Sequence, residues 1–151
     1  MKQSAGILLY KKEKNELKIL LAHPGGPFLA KKDEGAWTIP KGELNEEEDA
    51  LAAAKREFAE ETGQEIKVNC IPLKPIKQKG GKLIHAWAAE DELDVTKLKS
   101  NTFEMEWPPR SGKKQSFPEI DKAQWFTVEE ALVKILPGQQ GFIIELAGNM
   151  E

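Results

Sequence analysis

Cysteine is nearly absent: Cys70 stands alone among 151 residues, and one thiol cannot build an internal disulfide framework. Its apolar, strand-like surroundings point to a buried, inert side chain. Long hydrophobic runs are also missing. No segment approaches the ~20 apolar residues that span a bilayer, and the opening MKQSAGILLYKK lacks the apolar centre of a secretory signal. A cytoplasmic protein is the expectation. Neither sign of charge dominates, with 22 Lys and Arg against 25 Asp and Glu, a net of −3. That balance gives no support for general nucleic-acid binding, which calls for a basic excess or stripe. The two histidines, His23 and His85, have no metal-ligand spacing between them, and no Ser or Cys nucleophile constellation is visible. Repeats, low-complexity tracts and linkers are lacking too, so residues 1–151 are expected to form one domain with a real core.

What is present is concentrated between Gly42 and Gly63. The run GELNEEEDALAAAKREFAEETG sets Gly42, Glu48, Arg56, Glu57, Glu60, Glu61 and Gly63 in the spacing G-x5-E-x7-R-E-x-x-E-E-x-G. Asn45 followed by Glu48 predicts a capping-box-like helix start. Alanines at 50, 52, 53 and 54 favour the helix, and Gly63 offers a left-handed stop. At about 100° per residue, Leu51, Ala54 and Phe58 form the buried stripe, with Glu57, Glu60 and Glu61 on an arc beside it. Carboxylates so crowded repel one another unless a cation lies between them, and an oxygen-rich set suits a hard divalent ion, Mg²⁺ or Mn²⁺. Glu48, on nearly the opposite face, reads as a cap and helix-dipole partner, and Arg56 as a brace for the loop or the neighbouring glutamates.

Strands are expected at Ala5–Tyr10 and Leu17–Ala22, joined through KKEKNE, then at Ala36–Pro40, Ile66–Pro72, Leu83–Ala89, Thr102–Trp107 and Ala123–Phe126. His23–Gly35 and Pro108–Pro118 read as loops. Thr127 with Glu130 predicts a capping box for the helix VEEALVKIL, which Pro137-Gly138 separates from a last helix over Gln139–Leu146. Strands gathered about two or three helices predict an α/β (α+β) fold with a mixed sheet between helical layers.

The 42–63 pattern resembles the Nudix box, the metal-binding helix of enzymes that hydrolyse a nucleoside diphosphate linked to another group. One position departs: a small aliphatic usually follows the closing glycine, and here it is Gln64. The resemblance implies an α/β/α sandwich with a central mixed sheet, Mg²⁺ as cofactor with Mn²⁺ as a possible substitute, and a metal held by Glu57, Glu60, Glu61 and the Gly42 carbonyl. AWTIPKGEL (36–44) and EIDKAQWF (119–126) resemble the matching stretches of asymmetric diadenosine tetraphosphate hydrolases and related bacterial Nudix proteins. Lys41 is then placed to meet phosphate, or is a solvated loop lysine. Glu119 is either a carboxylate reaching the site or a surface residue, and Glu57 and Glu119 are the contenders for the general base. Glu104 and Glu106 are weaker candidates of the same kind.

Trp37, Phe28, Trp87 and Trp107 could stack on a base, with Trp37 and Phe28 first because they flank the box entry. Lys31, Lys32, Arg110, Lys113 and Lys114 could screen a polyphosphate tail. Two family traits are missing. No tyrosine lies 16 to 18 residues beyond the box, since Tyr10 is the only one, and Pro72 and Pro75 come too early for the proline of ADP-ribose pyrophosphatases. The expected activity is Mg²⁺-dependent hydrolysis of a phosphoanhydride in a nucleotide polyphosphate, first a dinucleoside polyphosphate. A nucleoside triphosphate pyrophosphohydrolase and a catalytically silent nucleotide-binding module are the alternatives. The expected partner is thus a small-molecule nucleotide, with no membrane.

Overall fold

A computed structural model describes residues 2–78 and 80–150. Its strands are β1 (Gln3–Glu13), β2 (Glu16–Pro24), β3 (Lys41–Glu43), β4 (Cys70–Pro72), β5 (Ile76–Lys77), β6 (Leu83–Glu90), β7 (Thr102–Glu106), β8 (Lys114–Pro118) and β9 (Ile120–Thr127). Its α-helices are α1 (Ala50–Thr62), α2 (Val128–Lys134) and α3 (Gln140–Asn149), with short 3₁₀ turns at Val95–Lys97 and Pro137–Gln139. Seven strands form one mixed sheet in the order β4-β6-β1-β2-β9, with β3 paired to β1 and β5 to β6. The β1–β6 pairing is parallel and the others are antiparallel.

β1 is buried continuously from Ser4 to Tyr10, as a strand covered on both faces must be. Alternate residues feed two cores. Ala5, Ile7, Leu9 and Leu20 pack with Ala53, Ala54 and Phe58 of α1 on one face. Leu8, Tyr10, Ile19 and Leu21 pack with Ala131 of α2 and Phe142, Ile143 and Leu146 of α3 on the other. Helices on both sides of a mixed sheet give the expected sandwich.

Near the Lys14–Asn15 turn, where both φ angles are positive, β1 and β2 pair from Tyr10↔Ile19 to Glu13↔Glu16. Two adjacent positive φ values match the hairpin turn whose twist suits flanking strands. Towards their other ends the two strands splay, and the segment 37–43 wedges between them. Ala22 bridges Thr38, the Ile7 N–H donates to the Pro40 carbonyl at 3.1 Å, and β3 pairs with β1 at Ser4↔Glu43 and Ala5↔Gly42. Gly6 permits this approach, because a Cβ there would lie 2.6 Å from the Pro40 oxygen. The Ile39 N–H is held by the side-chain oxygen of Gln139 at 3.1 Å.

Several expectations need correcting. Ala36–Pro40 contributes only isolated bridges, because it fills the splay instead of extending a ladder. Ile66–Pro72 is a strand only from Cys70 to Pro72, its earlier part covering α1 with Ile66 and Val68. Pro108–Pro118 is not all loop: Lys114–Pro118 is β8, paired with β7 in a separate two-stranded arm. The box helix begins at Ala50 with Asp49 as N-cap, its side chain accepting from the Ala52 N–H at 3.0 Å. Asn45 and Glu48 instead close a turn ahead of it, the Asn45 N–H donating to Glu48 Oε1 at 2.9 Å. The Gly63 stop and the Thr127/Glu130 capping box form as expected. Among the described residues, no helix is long and apolar enough to cross a membrane.

Candidate active site

The wedge brings Gly42 directly over α1. A Cβ at Gly42 would lie 2.0 Å from both Cδ and Oε2 of Glu57, so only glycine allows this strand to pass over that carboxylate. The Lys41 N–H points at Glu61 Oε1, 3.3 Å away. Glu119 arrives from the start of β9, with its N–H donating to the Asn101 carbonyl and its carbonyl accepting from Gly25, at 2.8 and 2.9 Å. Asn101 is itself tied to α1, its N–H donating to the Glu60 carbonyl at 2.8 Å. Four glutamates from two segments, α1 and the β8–β9 junction, are thus brought together, with the backbone at Asn101 bonded to both.

Arg56 organises one side of this group. Its Nε and Nη2 grip both oxygens of Glu48, each at 2.9 Å. Nη1 donates to Glu57 Oε1 at 2.9 Å and to Glu60 at 3.3 Å, and Nη2 reaches the Glu43 carbonyl at 3.3 Å. The Arg56 guanidinium and the Asn45 N–H hold Glu48 down at about 2. Glu48 is therefore the partner of Arg56 and not a helix cap, because the helix starts two residues beyond it.

The other carboxylates are not compensated in this way. Burial pushes Glu61 up to about 8, helped by the charges of Glu57 and Glu119. Glu57 is raised by burial despite the opposing pull of Arg56, and Glu119 by burial and then by Glu60. Burial lowers Lys41, as does the nearby charge of Lys82, while Glu61, Glu43 and Glu57 oppose that. Lys41 therefore stands among the carboxylates, not in open solvent.

This donor set fits a hard divalent cation: anionic oxygens in excess of the cations available, partly desolvated, on rigid elements. Among the described residues, no three Asp, Glu, His or Cys side chains are already gathered at ligating positions. Glu57 meets Arg56 through Oε1 alone and Glu60 through both oxygens, so a metal could take Glu57 Oε2 with that contact kept and Glu60 only in exchange for it.

A pH dependence follows from Glu61. Its folded value lies above the ordinary 4.5, so ionising it costs stability. That cost is absent below the unfolded value and complete above the folded one. The melting temperature of the metal-free protein is therefore expected to fall between about pH 4.5 and 8. Glu61→Gln should flatten the fall, and a divalent ion should raise the melting temperature more at pH 8 than at pH 5. Thermal scans of both proteins across that range, with and without the ion, check this.

Trp37 does not join the site. It is 1 % exposed, packed edge-on against His23 and Phe126 with ring centroids 5.0 Å away in each case. Its Nε1 donates to Asp33 Oδ1 at 2.8 Å. Both contacts fill the core on the α2/α3 side, so the ring has no free face for a base. Trp37→Ala should cost ~3–5 kcal/mol of stability, the range for deleting a buried aromatic, and chemical denaturation will measure it.

His23, set aside in the sequence, proves to be a buried clasp. Nδ1 meets Asp121 Oδ1 at 2.8 Å and Nε2 meets the Lys32 carbonyl at 2.5 Å, tying the 24–36 loop to β9 just beyond Glu119. No sequence spacing relates residues 23, 32 and 121, so only the fold reveals it. Lys32 is exposed beyond its pinned backbone. Phe28 is 64 % exposed on the same loop, with its ring 5.1 Å from that of Trp107. Arg110 sits at the tip of the β7–β8 arm, its N–H donating to Glu106 at 2.7 Å. The arm's register places that tip at the opposite end from Glu119, so the structure does not bring Arg110 to the carboxylates. Glu104 and Glu106 lie on the exposed side of β7. Trp87 packs against the α1-side core.

Comparison with known proteins agrees with this architecture. A family model, the NUDIX domain, matches residues 1–146. No curated protein matched the chain. Among solved structures, a Caenorhabditis elegans Ap4A hydrolase, described in a binary complex, is similar at 22 % identity, covering 99 % of this chain and 98 % of that one with a TM-score of 0.66. A mutT/nudix family protein from Listeria innocua is similar at 21 % identity, covering 99 % and 93 %, with a TM-score of 0.65. The NUDIX domain of Shewanella oneidensis NrtR, complexed with ADP ribose, is similar at 18 % identity, covering 98 % and 86 %, with a TM-score of 0.63. At these identities the likenesses speak for the fold. The family match rests on the chain itself, which carries the box helix with its glutamates in place: the chain belongs to the NUDIX domain family, as a Nudix hydrolase of nucleotide derivatives.

Proposed function

We propose that this hydrolase cleaves a phosphoanhydride of a dinucleoside polyphosphate in the cytoplasm, with Mg²⁺ as its cation and Mn²⁺ as a substitute. The observation that carries the reading is the convergence of Glu57, Glu60, Glu61 and Glu119 beside Gly42, with more negative charge than Arg56 and Lys41 offset. Glu57, Glu60, Glu61 and the Gly42 carbonyl would hold the ion, which supplies neutralisation of the polyphosphate and stabilisation of charge developing on its oxygens.

The chain's own groups divide the remaining work. Arg56 orients Glu57 through Nη1 and opposes the rise that burial gives its carboxyl, which suits a ligand better than a base. Glu119 stands on a backbone pinned at both its N–H and its carbonyl, and burial raises its proton affinity. It is the better group to accept a proton from the attacking water, a contribution of ~10²–10⁴-fold. Lys41, among the carboxylates, offers an ammonium to phosphate.

The stretches AWTIPKGEL and EIDKAQWF, and the likeness to the C. elegans Ap4A hydrolase, support the dinucleoside substrate. The missing tyrosine beyond the box favours a second reading, a nucleoside triphosphate pyrophosphohydrolase. A panel of dinucleoside polyphosphates, nucleotide sugars and triphosphates with Mg²⁺, run in ¹⁸O-labelled water, separates the two. A dinucleoside tetraphosphate turned over well ahead of any triphosphate upholds the first reading. Release of pyrophosphate and a monophosphate from a preferred triphosphate replaces it with the second. No turnover of any panel member leaves a silent nucleotide-binding module.

A further inference from the structure

Glu119, the group read as the base, stands at the join of β8 and β9, where the sheet pairing is irregular. The β2–β9 register shifts between His23 and Pro24, and the residue opposite Ile120 is Pro24, whose nitrogen has no proton to donate. A carboxylate that takes a proton from attacking water must nevertheless be held to a fraction of an ångström against the groups that bind the phosphate.

The holding contacts come from the segment 99–101. The last carbonyls of a helix have no partner within it, and α1 offers two of them to this segment. The Lys99 N–H donates to the Thr62 carbonyl at 3.0 Å and the Asn101 N–H to that of Glu60 at 2.8 Å. Ser100, between them, sends its hydroxyl to β9. Its Oγ accepts from the Ile120 N–H at 3.1 Å and donates to the Asn101 carbonyl at 2.9 Å. That carbonyl also receives the Glu119 N–H at 2.8 Å, so both of its lone pairs are used. One hydroxyl thus closes a ring of hydrogen bonds around the amides of Glu119 and Ile120, and the ring is bonded directly to the helix that carries Glu60 and Glu61. Gly25 completes the mount, its N–H donating to the Glu119 carbonyl at 2.9 Å. A Cβ at Gly25 would collide with the Pro118 carbonyl. Ile120 is buried, so its amide has little water to turn to if the hydroxyl is removed.

We propose that Ser100 is a positioning residue for the reaction: its hydroxyl sets Glu119 against the α1 glutamates without itself touching substrate or metal. A hydroxyl suits the task because one atom both accepts and donates. This inference rests on the reading of Glu119 as the general base and adds the residue that holds it in place.

Kinetics of Ser100→Ala, Glu119→Gln and the double variant on the preferred substrate tests it. Ser100→Ala should lower kcat by roughly 10- to 100-fold, as displacement of a catalytic group does. The Michaelis constant should stay within about two-fold, the signature of an interaction that serves only the chemical step. Ser100→Thr, which keeps the hydroxyl, should restore most of the rate. In the Glu119→Gln background, Ser100→Ala should lower kcat no further, because its effect passes through the missing carboxylate. Amide hydrogen exchange gives a reading independent of turnover. Ile120 should exchange at least about 10-fold faster in Ser100→Ala, and near the parent rate in Ser100→Thr. Should Ser100→Ala fail to fold, Ser100→Cys, close in size but with a weakly bonding thiol, takes its place. A parent-like kcat in Ser100→Ala, with Glu119→Gln slow, overturns the positioning role and leaves Glu119 as the base. Equal losses from Ser100→Ala in the parent and Glu119→Gln backgrounds also overturn it, since Ser100 then acts on the fold alone. Glu119→Gln as active as the parent removes the base reading itself, and the role of Ser100 with it.

Discussion

Replacing Glu57 or Glu61 by Gln should reduce turnover by at least 10²-fold while the protein stays folded. The substitution keeps size and hydrogen-bonding shape and removes one anionic oxygen donor, which a hard divalent ion cannot replace from a neutral amide at equal strength. The two variants should differ in a second property. Glu57→Gln weakens a contact to Arg56, so it releases some order in the box. Glu61 has no guanidinium partner and carries a costly charge near pH 8, so Glu61→Gln should raise the melting temperature of the metal-free protein there. Steady-state kinetics on the preferred substrate, paired with thermal scans, checks both. Activity within a few-fold of the parent in both variants would remove these residues from the site.

Gly42→Ala is the second large effect. The added Cβ would sit 2.0 Å from Glu57 Cδ, a separation at which one group must move. β3 is held to β1 by its ladder, so the side chain yields, swinging the Glu57 carboxylate off its position. A displacement of about an ångström at a catalytic group is worth roughly 10²-fold in rate. The fold should survive, because the collision is with a side chain and not with the backbone. Gly148→Ala in α3 is the control: nothing lies within 4 Å of its Cβ, and alanine there should stabilise the helix by ~0.5–1 kcal/mol with activity unchanged. Kinetics of the two alanine variants side by side will show whether the close approach at Gly42, and not glycine content in general, matters.

The sandwich and its box helix were legible because their signals are local. Leu51, Ala54 and Phe58 repeat at helical spacing, Thr127 and Glu130 form their capping box, and Gly63 ends α1 in the left-handed region. The helix start was misplaced because Asn45/Glu48 and Asp49 both offer capping chemistry, and only Asp49 stands where the chain enters α1 over the sheet. The brace role of Arg56 is legible in the sequence, but its main partner, Glu48, lies eight residues earlier and off the helix, where helical spacing does not point. Trp37 flanks the box in sequence, which recommended it as a base platform, yet the splay of β1 and β2 turns it into the core. β8 was missed because KQSFP lacks the β-branched, alternating pattern that marks a strand. It is a strand through pairing with β7, a contact that no local window contains. The His23 clasp likewise joins residues 98 apart and leaves no pattern to find.

All of this depends on whether the α1 carboxylates hold a divalent ion. Anomalous diffraction from crystals soaked in Mn²⁺ decides it directly. A peak is expected among the oxygens of Glu57, Glu60 and Glu61 and the Gly42 carbonyl, with Arg56 retaining Glu48. Those carboxylates still turned onto Arg56 or into solvent, with the manganese peak elsewhere or absent in crystals that hydrolyse substrate, would contradict it.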